Sequence, residues 1–117
     1  MPDFFQVQPF ESISVIELNL PEMLDALEFD RLNENVMAAL NGKAGQHWVL
    51  DLAKVSYMGS AMLGLIVNIR QQIKTAGGKL VLCSMSPRLT EIFRTCSMER
   101  LFTITKTRPD ALKALKK

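Results

Sequence analysis

Histidine and cysteine are nearly absent from this chain, which has one histidine and two cysteines in 117 residues. His47 has no Cys, Asp or Glu at ligand spacing, so a metal site built on it is not expected. Cys83 and Cys96 form no CxxC pair and have no histidine cluster nearby, which excludes the usual zinc and redox motifs; both are expected to be buried free thiols. No uninterrupted apolar stretch approaches the roughly 18 residues needed to cross a bilayer. The opening residues MPDFFQVQPFES lack a basic region followed by an apolar run, so a soluble, cytoplasmic protein without membrane insertion is expected. Charge of one sign is also lacking: 14 Lys and Arg against 12 Asp and Glu leave a net +2, and no basic run stands out, so a nucleic-acid partner is not expected. There is no GxGxxG, GxxxxGK[ST] or GxSxG, and with one isolated histidine as the only base candidate an enzyme is not expected, nor any cofactor.

What is present is apolar residue in a regular pattern. At 48% hydrophobic, the chain has enough to build a core, and its length suits a single domain over 1–117. Phe5-Gln6-Val7-Gln8 and Ile16-Glu17-Leu18-Asn19-Leu20 alternate apolar and polar, which predicts two strands joined by a short break at Pro9 to Glu11. From Asp25 the spacing of Phe29, Leu32, Val36, Ala39 and Leu40 is helical, with Asp25, Glu28, Asp30 and Glu34 placing negative charge where a helix N-terminus favours it. Asn41 to Gly45 predicts a turn. Trp48 to Leu52, Lys79 to Cys83 and Leu101 to Thr105 predict three further strands. Ser86-Pro87 opens a short helix with Leu89, Ile92, Phe93 and Cys96 on one face, and Thr107 to Asp110 resembles a capping box ahead of a terminal helix. The order β, β, α, β, α, β, α, β, α implies an α/β fold, a mainly parallel sheet of about five strands with an opening antiparallel hairpin and about four helices.

The stretch Asp51 to Ile73 is the centre of this arrangement. A strand covered on both faces runs through Ala53 to Met58 into an apolar helix that ends at Gly77-Gly78. Gly59 reads as turn chemistry, Ser60 as the helix N-cap, and Tyr57 and Met58 as residues packed under the turn. Met62 fits either core filling or an exposed contact.

With these elements in place, the chain resembles the STAS domain of bacterial anti-sigma-factor antagonists. Three stretches carry the resemblance: Leu24-Asp25, Asp51 to Ser60 with Leu63-Gly64, and Ala76 to Cys83 followed by Ser86-Pro87. In that family the turn usually reads aspartate, serine, serine or threonine, glycine, leucine, glycine. The first serine is phosphorylated by a partner kinase that is itself the anti-sigma factor. That serine falls on Ser60, whereas Gly59, Ala61 and Met62 depart from the pattern.

The resemblance implies a non-enzymatic interaction switch that binds an anti-sigma factor/serine kinase through Asp25, Gly59, Ser60, Ala61 and Met62 and is regulated at Ser60. A constitutive, non-phosphorylated STAS scaffold in a signalling or transporter assembly is one alternative. A small nucleotide- or phosphate-binding α/β protein is another. Neither the oligomeric state nor the particular partner follows from the residues.

Overall fold

The computed structural model describes residues 4–10, 12–21, 23–41 and 46–116. Two strands, β1 (Phe5–Phe10) and β2 (Ile13–Leu18), precede α1 (Ala26–Leu40), β3 (His47–Asp51), α2 (Ser60–Thr75), β4 (Leu80–Cys83), α3 (Pro87–Thr95), β5 (Thr103–Ile104) and α4 (Arg108–Leu115). The five strands lie in sequence order in one sheet; β1 pairs antiparallel with β2, and β2 to β5 are parallel. The expected α/β architecture is therefore the observed one.

Strand periodicity divides the core in two. Ile16, Leu18, Trp48, Leu50 and Leu82 point to the face covered by α1, α2 and α3, where they meet Leu32, Val36, Ile66, Ile69 and Phe93. Ile13, Val15, Val49, Val81 and Cys83 point the other way, against Ala111 and Leu115 of α4. A strand with apolar residues on both faces is stable only between two layers, which is why β3 reads as a continuous apolar run. β1 carries Pro9 opposite Ser14, a position tolerated because β1 is an edge strand. Glu11 of the expected break and residues 42–45 of the expected turn lie outside the described residues.

Three expectations need correction. The last strand is two residues rather than five, because Met98–Leu101 forms a 3-10 turn that starts from Ser97 in the left-handed region, at φ 57°, and buries Met98. The second strand begins at Ile13 rather than Ile16 and ends at Leu18. Cys96 is exposed as the C-cap of α3, while Leu89 and Phe93 supply that helix's buried face. Cys83 alone is buried, and that burial pushes its thiol up to about 11. The stop at Gly77-Gly78 holds, for two separate reasons. Gly77 takes φ +88° while its N–H and that of Gly78 bond to Lys74 O and Ile73 O at 3.0 and 2.9 Å. Gly78 instead passes so close to the chain before β3 that a Cβ would collide with the Gln46 carbonyl oxygen.

Candidate functional site

The segment from β3 to α2 is anchored at its root by Asp51, whose side chain is 6% exposed. Its Oδ1 accepts from Ala53 N at 2.9 Å and its Oδ2 from Arg108 Nε at 2.7 Å. Arg108 also donates to Glu17 and to Gln8, and Lys54 Nζ lies 3.1 Å from Glu17. Bonds from Lys54 first and Arg108 second hold the Glu17 carboxyl below its usual range. One arginine thus ties β1, β2, β3 and α4 together beneath the loop. Burial works against the charge of Arg108, but Asp51 and Glu17 outweigh it and raise its pKa.

Beyond this root, Val55 and Met58 turn into the core, each 2% exposed. Tyr57 does not pack under the turn. It is 39% exposed and lies beneath the Arg88 guanidinium, 5.1 Å from the ring centroid, which links the loop to α3. An aromatic ring with a polar end can face outward at little cost, and Met58 takes the buried place.

The helix starts one residue earlier than expected. Gly59 is the N-cap of α2 and accepts from Leu63 N at 3.0 Å; Ser60 is the first helical residue, and no side chain caps this end. Gly59 has φ −86° and ψ 179°, an extended conformation open to any residue, and a Cβ there would meet nothing nearer than Tyr57 at 4.0 Å. Turn chemistry therefore does not require this glycine. Ser60 is exposed, and so is Gly64 one turn later on the same helix face, with nothing within 4 Å of a Cβ built on it.

Facing this turn is the start of α1. Asp25 Oδ1 accepts from Glu28 N at 2.8 Å and Glu28 Oε1 accepts from Asp25 N at 3.1 Å, a complete capping box. The acidic residues at this end are thus fixed by bonding as well as by the helix dipole. Between the two helix starts lies a cleft of about 390 Å³. Leu20, Pro21, Met23, Leu24, Asp25, Ala26, Phe29 and Asp30 form one wall, and Tyr57, Met58, Gly59, Ala61 and Met62 the other. Among the described residues its lining holds two carboxylates, Asp25 and Asp30, and no cation.

Of the five residues expected at the site, Asp25, Gly59, Ala61 and Met62 line this cleft; Ser60 lies between two lining residues and faces solvent instead. Met62 is 7% exposed, so it belongs to the core and also presents an edge to the cleft. Leu20, Pro21, Met23, Leu24 and Phe29 of the other wall were not legible as site. Their one signal is that apolar Leu24 and Phe29 hold the N′ and N4 positions around the Asp25 cap, where a hydrophobic staple belongs. Among the described residues no group of three or more His, Cys, Asp or Glu is placed to hold a metal ion. No helix among them is long and apolar enough to cross a membrane.

A mixed five-stranded sheet, with its central strand feeding an apolar helix that opens on an exposed serine, defines the class of STAS-fold domains. The STAS domain family model matches residues 5–111, and the chain belongs to that family. It is 31% identical over 83 residues to the proposed anti-sigma factor antagonist BtrV of Bordetella bronchiseptica, covering 71% of this chain and 72% of that protein. It is 26% identical over 99 residues to an anti-sigma F factor antagonist of Paenibacillus polymyxa, covering 85% and 82%. Among solved structures, an anti-sigma-factor antagonist (STAS) domain protein from Planctomyces limnophilus superposes with a TM-score of 0.82 at 25% identity, covering 95% of this chain and 97% of that one.

Proposed function

We propose that this protein is an anti-sigma-factor antagonist, a non-enzymatic module that binds an anti-sigma factor/serine kinase across the cleft and the adjoining face of α2. Ser60 is its regulatory phosphoacceptor. The observation that carries this reading is the uncapped start of α2, where an exposed serine sits beside an apolar cleft and a bare glycine face. Gly64 supports it. A glycine in a helix interior costs roughly 0.5–1 kcal/mol relative to alanine, and packing does not require one here.

Transfer of the γ-phosphoryl group of ATP to the Ser60 hydroxyl, which breaks the β–γ phosphoanhydride bond and releases ADP and the hydroxyl proton, would place about −1.5 to −2 charges at the first residue of α2. The free N–H groups and dipole of that helix end favour such an anion within the protein. A partner covering Ser60 would have to desolvate it, so binding is lost while the fold is retained. The unmodified protein holds the anti-sigma factor and frees the sigma factor; the phosphorylated protein releases it. The relatives named as anti-sigma factor antagonists support the same role.

Gly59, Ala61 and Met62 favour a second reading, a constitutive scaffold whose surface is never modified. Partner capture separates the two. Wild type and Ser60→Asp are used as bait in extract of the native host, and the captured proteins are identified. An ATP-binding kinase-like protein held by wild type and lost with the aspartate supports the switch. The same partners on both baits support the scaffold. Ser60→Asp should raise the stability of α2 by about 0.3–1 kcal/mol through the dipole, so loss of binding would not reflect unfolding.

A further inference from the structure

At the end of α2 away from Ser60, a second cleft of about 450 Å³ opens between the last turns of that helix, the start of β4, the segment entering β5 and the end of α4. Among the described residues Arg70, Lys74 and Lys79 line it with no acidic residue, and Ile73, Phe102 and Leu115 supply an apolar surface. Its sign is opposite to that of the first cleft. No run of basic residues marks it in the chain, because helix spacing and the turn at Gly77 bring the three cations together.

Local structure accounts for only one of them. A helix C-terminus favours positive charge in its last turn, which explains Lys74; Arg70 stands a turn earlier, and Lys79 lies beyond the helix. Lys54, Arg94 and Arg108 are each paired with carboxylates, but among the described residues Arg70, Lys74 and Lys79 have no carboxylate within 4.0 Å. One of the three charged groups, the Arg70 guanidinium, is held in place, whereas at Lys79 it is the backbone that is fixed. Arg70 Nε donates to Leu101 O at 2.6 Å, which fixes its guanidinium while using one of its donors, and Lys79 N donates to His47 Nδ1 at 3.1 Å. Three like charges converging on one concavity repel one another, and a concave site with apolar walls strengthens their field. An anion relieves that repulsion.

We propose that this cleft binds a phosphate group carried on an apolar or aromatic body, with Arg70, Lys74 and Lys79 as its ligands. The phosphate can come from a soluble phosphoester or from a phospholipid headgroup, and the site is independent of any role of Ser60. Amide NMR of the full chain is titrated with inorganic pyrophosphate and with ATP, and flotation is measured with phosphatidylglycerol and with phosphatidylcholine vesicles. Shifts confined to 70–80 and 101–103 with either soluble ligand support the first source. Flotation with the anionic vesicles alone, without such shifts, supports the second. In the Arg70→Gln, Lys74→Gln, Lys79→Gln variant, binding should weaken about tenfold or more. The variant also loses the Arg70 to Leu101 bond and the dipole contribution of Lys74, so its Tm can fall slightly; an amide spectrum that keeps the wild-type dispersion away from 70–80 and 101–103 shows that the fold is intact. No binding to any of the four probes, binding unchanged in the variant, or shifts centred on Gly59 to Met62 would overturn the proposal.

Discussion

An aspartate at position 59 fits where the glycine stands, because the backbone there is extended and a Cβ meets only Tyr57 at 4.0 Å. Gly59→Asp supplies the acceptor that α2 lacks and a charge suited to its dipole, so stability measured by urea unfolding should rise by about 0.5–1 kcal/mol. A loss would mean that the first turn is not open to such a cap. Gly64→Ala should also stabilise, by about 0.5–1 kcal/mol, while weakening partner capture if the bare face is a contact. The thiols should separate cleanly: Cys96 reacts with a thiol reagent in the native protein at pH 8, whereas Cys83, buried and pushed up to about 11, reacts only on unfolding. Glu17 gives a test by pH. Its folded pKa lies below the ordinary 4.5, so its contribution is present above that value and fades as pH falls through the lower one. Glu17→Gln should therefore flatten the fall in stability below about pH 4.5.

At the scale of elements, two helix ends carry contrasting burdens. Asp25→Ala removes the side-chain half of the α1 capping box, the acceptor for Glu28 N, and should cost about 1 kcal/mol. Asp25→Asn keeps a capping acceptor and separates that structural cost from any loss of partner binding. Gly78→Ala drives a methyl group into the Gln46 carbonyl and should cost about 1–3 kcal/mol by overpacking. The strands and helices were legible because their apolar residues repeat at two or near 3.6, and the stop at Gly77-Gly78 was legible as chemistry. The start of α2 was displaced by one residue because serine and glycine both serve as N-caps, and only the Leu63 to Gly59 bond settles which one does. The final strand was overestimated because Leu101 to Thr105 reads as strand in composition while the preceding 3-10 turn consumes its first residue. Cys96 followed the helical period on paper, but α3 ends one residue before it.

Across the whole molecule, what stayed hidden is what long-range contacts create. Gln8, Glu17, Asp51, Lys54 and Arg108 share no period or motif, yet they form one charge cluster beneath the loop. Arg108→Ala leaves Asp51 buried beside Glu17 without its cation and should cost about 2 kcal/mol or more. A double-mutant cycle with Asp51→Ala should recover part of that loss, and additive costs would show that the pair is not coupled. Of the five expected site residues, Gly59, Ala61 and Met62 lie on one wall of the cleft and Asp25 on the other, and the rest of that second wall, which α1 and its leading loop provide, was not marked in the sequence. The switch proposed for that cleft depends on Ser60 being modified. The most direct measurement is phosphosite mapping by mass spectrometry of the protein purified from its native host. Phosphate on Ser60, absent from the Ser60→Ala protein, is the predicted result. An unmodified Ser60 under all growth conditions, with partners still bound, would contradict the switch and leave the serine as no more than the first residue of a helix.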